Sequence, residues 1–156
     1  MKKITAFVLT LIFMLSVAGC ASQQHPIERK NIDAKPNKWG VTLKAENVTS
    51  SGLTIVCVHS GGENVAELYT GSYYVLQRSE DSEWADVEFL PQEYDVTWTS
   101  EAWIIQKESE TSWDVNWEWL YGKLPAGKYR IGKEIMNVRE TGDYDKETVY
   151  AEFIIE

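Results

Sequence analysis

SWDVNWEWLYGKLPAGKYRI, residues 112–131, holds three of the chain's seven tryptophans within seven positions. Side chains of a strand alternate between faces, so an extended chain here sends Trp113, Val115, Trp117 and Trp119 to one side and Asp114, Asn116 and Glu118 to the other. One side is wholly apolar and the other wholly polar, the pattern of a strand lying over a core. The three indoles are therefore expected to be structural and to face inward. An exposed aromatic platform would need a second inward row of apolar residues, and that row is missing. Downstream, LPAGKYRI places Tyr129 at the start of a strand just after a Pro-Gly corner.

Working outward, the chain from Trp39 onward consists of short segments rich in Val, Ile, Thr, Tyr and Trp, separated by Gly, Ser, Asp and Asn. Strands are expected over residues 41–48, 53–59, 71–78, 84–89, 101–107, 112–119, 128–137 and 148–155. Turn residues at 50–52, 79–83, 125–127 and 141–145 fit between them. No long window keeps a helical period. The expected fold is an all-β sandwich of seven or eight strands occupying residues 39–156.

The amino terminus has a different texture. Lys2 and Lys3 precede an apolar run over residues 4–17, which has the layout of an export signal and is shorter than the ~20 residues of a transmembrane helix. Val17, Ala18 and Gly19, followed by Cys20, resemble the lipobox of bacterial lipoproteins. That resemblance implies cleavage before Cys20, with residues 1–19 as signal peptide, and a diacylglyceryl group on the new amino terminus. Two acyl chains anchor stably where one anchors marginally. Residues 20–38 are polar, contain Pro26 and Pro36, and read as a flexible linker. The expected location is the extracytoplasmic face of the cell membrane, with the membrane as first partner through the lipid.

The chain has 15 basic and 24 acidic residues, a formal charge of −9; loss of residues 1–19 removes two lysines and no acid, leaving −11. Such a surface repels nucleic acid, which is bound through clustered Lys and Arg. With Cys20 lipidated, Cys57 is the remaining thiol and cannot form an internal disulfide. Its apolar setting, LTIVCVHS, suits a small buried hydrophobe rather than a nucleophile.

Few residues invite a catalytic reading. The two histidines, His25 and His59, lie in the linker and at a strand end. Ser60 follows His59 directly, so their side chains diverge in a strand. Asp143, Asp145 and Glu147 lack the glycine and terminal glutamate of a calcium loop and read as solvated hairpin charges. No metal site, no cofactor and no catalytic constellation is expected, and the chain reads as a non-enzyme.

WEWLYGKLPAGKYRI with the following KE, together with YYVLQRSEDSEWADV and the terminal VYAEFIIE, resembles the bacterial Ig-like domain of Gram-positive lipoproteins and surface proteins. The resemblance spans residues 39–156 and implies a fold and an envelope setting, with no catalytic residues. Within it, Tyr129 resembles the tyrosine corner of Ig-like sandwiches, which implies a buried structural ring whose hydroxyl bonds back to upstream backbone. The segment PQEYDVTWTSEAWIIQ, residues 91–106, departs from the pattern by its extra aromatics. Tyr94, Trp98 and Trp103 are its candidates for contact with an unknown protein or cell-wall ligand; covering a sandwich edge is the alternative. The expected function is an anchored binding or structural module. A proteinase-inhibitor-like role for the loop 93–100 is the alternative, and a cell-wall hydrolase a third reading suggested by location alone.

Overall fold

β-branched and aromatic segments separated by turn residues give an almost purely β architecture, here described from a computed structural model for residues 34–62 and 65–156. Val17, Ala18, Gly19 and Cys20 lie outside the described residues, as does most of the linker. The strands are β1 (Val41–Glu46), β2 (Gly52–His59), β3 (Glu67–Gly71), β4 (Val75–Glu80), β5 (Glu83–Asp86), β6 (Ala102–Ile105), β7 (Ser109–Asn116), β8 (Gly127–Glu140) and β9 (Asp143–Ile155), with one helical turn, α1 (Glu118–Tyr121), before β8.

They form two antiparallel sheets. The smaller has the order β1-β2-β7; in the larger, β8 pairs with β9 along one side and with β4 and β3 in succession along the other, β5 and β6 lying outside these. Apolar side chains from both sheets fill the space between them: Val41, Leu43 and Ile55 from the smaller, Leu68, Leu76, Ile131, Ile135 and Phe153 from the larger. This is the sandwich that the alternating segments predict.

Two local features depart from the sequence expectation. The strand expected over 71–78 begins earlier, at Glu67, and is interrupted. Thr70 is registered against Ile135 and Val75 against Gly132, so four residues, 71–74, oppose only two, 133 and 134. The surplus bulges out of the β3–β8–β4 ladder.

The second is the end of β7. The chain does not stay extended through Trp119; it stops at Asn116, whose Oδ1 accepts from the Glu118 amide at 3.0 Å, and winds into α1. Leu120 N and Tyr121 N then donate to Trp117 O. Over a helical turn, positions i, i+3 and i+4 share a face, so Trp117, Leu120 and Tyr121 are buried together. Trp119 is turned away and is 56% exposed, which corrects the expectation that it faces the core.

Candidate functional site

Of the three clustered indoles, only Trp117 is fully buried, at 0% exposure. Its Nε1 donates to Ser50 O at 3.0 Å, and its ring stacks on Phe153 with centroids 5.7 Å apart. Phe153 also stacks on Tyr129, its cross-strand partner, at 5.8 Å. The Tyr129 hydroxyl donates to Pro125 O at 2.9 Å, the back-bond of a tyrosine corner. Trp117 and Tyr129 are thus structural side chains, satisfied in both their apolar and their polar parts.

Trp113 is half-buried and packs against the core from β7, whereas Trp119 is exposed. Together with Trp98 and Trp103 they border a cleft of about 290 Å³, to which Tyr74 and Lys133 also contribute. Six different pieces of chain deliver these groups: β7 brings Trp113, α1 Trp119, β6 Trp103, the irregular segment before β6 Trp98, the bulge between β3 and β4 Tyr74, and β8 Lys133. Trp113 and Trp103 stack across the gap between the sheets, centroids 5.9 Å apart and planes 23° from parallel. Trp98 lies edge-on to Tyr73 at 5.3 Å and to Tyr74 at 5.0 Å.

Lys133 is the unexpected member. It follows the inward alternation of β8, Tyr129-Ile131-Lys133-Ile135, and is only 2% exposed. Its Nζ donates to Gly71 O and, at 2.9 Å, to Tyr73 O, the carbonyls of the bulge, and lies 5.3 Å from the Trp103 ring centroid. Burial pushes its pKa down to about 8. The cation is therefore held by the bulge it stabilises, and its charge forms part of the cleft floor. Tyr74 is buried beside it, its pKa raised by desolvation, and its hydroxyl has no hydrogen-bond partner among the described residues.

Of the three contact candidates, Trp98 and Trp103 meet at the cleft, whereas Tyr94 does not border it. Tyr94 is 79% exposed and, among the described residues, its hydroxyl donates to Glu93 Oε1 at 3.4 Å. Trp98 and Val96 also pack against the core, so the segment covers an edge and furnishes the cleft at once. Sequence reading missed Lys133 and Tyr74; for Lys133 the signal was present, since a lysine in the inward phase of an otherwise apolar strand needs a buried partner.

Chemistry elsewhere is sparse. Arg139 bonds Asp143 and, at 2.8 Å, Asp145, which occupies those carboxylates and holds the Asp143 carboxyl below its ordinary range. His59, at the end of β2, is buried; its Nδ1 donates to Gln106 O at 3.2 Å, and its Nε2 has no partner among the described residues. Burial raises the Cys57 thiol to about 12, so it is not a nucleophile at neutral pH. No group of His, Cys, Asp or Glu among the described residues has the arrangement to hold a metal ion.

A family model described as a bacterial Ig-like domain matches residues 36–154. No curated protein matches the chain.

Proposed function

We propose, from the premise that the chain belongs to the bacterial Ig-like domain family, that it is a binding module held at the extracytoplasmic face of the membrane by a lipid on Cys20. Its ligand enters the cleft bordered by Trp98, Trp103, Trp113 and Trp119. The observation that carries this reading is the convergence of four indoles, delivered by separate pieces of chain, on one opening, with Trp98 and Trp113 only half-buried where they back onto the core. Clefts with mostly aromatic walls and a few placed polar groups are the usual form of a ligand site, and about 290 Å³ is near the lower end of their size. Cys20, in its lipobox-like setting, supplies the anchor.

The inhibitor-like alternative needs a free-standing loop at 93–100, but Val96 and Trp98 within it are packed against the core. A glycan hydrolase needs two carboxylates flanking the substrate. Asp114 alone among the acidic residues described borders the cleft, and its Oδ1 already accepts from Thr54 Oγ1 at 2.7 Å.

Two measurements test the proposal. Cys20→Ala is expected to move the full chain from the membrane to the soluble fraction, and its retention in the membrane would remove the anchor. Isolated envelope material is expected to shield the cleft indoles from iodide quenching, with the effect halved or more in Trp103→Ala; unchanged quenching would remove the cleft as a ligand site.

A further inference from the structure

The cleft runs along an open strand edge. β7 is paired with β2 through all eight of its residues on one side, and among the described residues no backbone hydrogen bond leaves its other side. Trp113, Asp114, Val115 and Asn116 all border the cleft. Successive strand side chains point to opposite faces, so four consecutive residues line one cavity only when the cavity follows the strand's edge. The opposite wall is Thr97, Trp98 and Thr99, held in place by Ser72 Oγ, which donates to Thr99 O at 3.1 Å.

β7 has no lysine, no proline and no register shift, its charged side chains Glu110 and Asp114 are both acidic, and the segment holding Val96 and Trp98 flanks it across the cleft without pairing to its backbone. The other edge of the same sheet differs: Val41, Thr42 and Leu43 of β1 are all buried. Along β7 the inward side chains Thr111, Trp113 and Val115 are only half-buried, although they belong to the core-facing row.

Charge selects what fits there. Residues 79–106 contain eight acidic residues and no lysine or arginine, and residues 108–122 add Glu108, Glu110, Asp114 and Glu118, again with no base. None of the eight acids in 79–106 is in an ion pair among the described residues. The Lys133 cation in the cleft floor opposes entry of a positive group into the cavity itself. A ligand that suits both features is basic along its rim and neutral at its anchor.

We propose that β7 receives an extended basic peptide segment as an added strand, its main chain pairing with residues 109–116, its lysine or arginine side chains facing Glu110 and Asp114 of β7 itself, and one apolar or aromatic side chain seated in the indole cleft. This rests on the cleft being the ligand site. A second copy of this chain is a poorer occupant, because its own β7 carries Glu110 and Asp114 and meets like charge.

The test uses the full chain and three synthetic ten-residue peptides: alternating Lys and Val with a central Phe, the same with Asp for Lys, and the Lys peptide with Pro for Val. Binding is followed by tryptophan fluorescence and by amide hydrogen exchange. The Lys peptide is expected to bind saturably and to slow exchange across residues 109–116 at least tenfold. The Asp and Pro peptides are expected to bind at least tenfold more weakly, as is the Lys peptide to a Glu110→Lys, Asp114→Lys variant whose melting temperature is unchanged. Binding without protection of 109–116, equal affinity for the Asp or Pro peptide, or no binding overturns the proposal. So do shielding of the cleft by neutral wall-glycan fragments when the peptides are inert, and protection of 109–116 that grows with protein concentration in the absence of peptide. If envelope material shields the cleft indoles while no peptide binds, strand addition fails and the ligand site stands; if neither does, both fall.

Discussion

Trp103 and Trp113 stack 5.9 Å apart with planes 23° from parallel, one contributed by each sheet, and Lys133 Nζ lies 5.3 Å from the Trp103 ring centroid. The pair spans the gap between the sheets beside the unpaired edge of β7. It lets two half-buried rings shield each other while leaving the cleft open. A double-mutant cycle with Trp103→Ala and Trp113→Ala is expected to return a coupling of about 0.5 to 1.5 kcal/mol in urea unfolding, the range for offset aromatic pairs. A coupling of zero would mean that the rings are neighbours without being partners.

The contrast between Trp117 and Trp119 separates core from surface two residues apart. Trp117→Ala removes a fully buried ring, its stack on Phe153 and its bond to Ser50 O, and is expected to cost about 3 to 5 kcal/mol. Trp119→Ala, at an exposed position, is expected to stay within about 0.5 kcal/mol of the parent. Urea midpoints for the two variants measure this directly, and equal losses would place both rings inside.

That contrast also shows what the sequence could reveal. Alternation in residues 112–116 gives β7 and its faces correctly, because a strand's period is local. The winding of α1 is only partly local: Asn116 takes the Glu118 amide two residues on, but Trp117 must find Ser50 O, a residue 67 positions away. Tyr129 was legible because its partner, Pro125, is four residues back. Nor could the cleft be read from the chain, since its walls come from seven segments brought together only by folding.

Tyr129→Phe keeps the ring, its stack on Phe153 and its place in the core, and deletes only the donor to Pro125 O. A net loss of about 1 kcal/mol is expected, with Pro125 O left to find water or go unpaired. The fold should persist, as judged by an unchanged near-ultraviolet circular dichroism spectrum. A loss above about 3 kcal/mol would assign the hydroxyl a larger role than closing one corner.

Lys133 gives the domain a pH signature. Its pKa is about 8 in the folded chain and 10.5 when unfolded, so between these values the unfolded state binds more protons and stability rises with pH. The burial cost is fully present below pH 8 and is relieved as the folded lysine loses its proton. The Cys57 thiol, raised from 9.0 to about 12, works in the opposite direction because only the unfolded state ionises in that window, and the Tyr121 phenol, raised from 10.0 to about 12, joins it above pH 10. Comparing the parent with Lys133→Met cancels these opposing contributions. The stability of the parent relative to the variant is expected to grow by about 1 kcal/mol between pH 8 and pH 9, read from urea midpoints at each pH. A difference that stays constant over this window would mean that the buried lysine keeps its charge throughout, its bonds to Gly71 O and Tyr73 O fully offsetting desolvation.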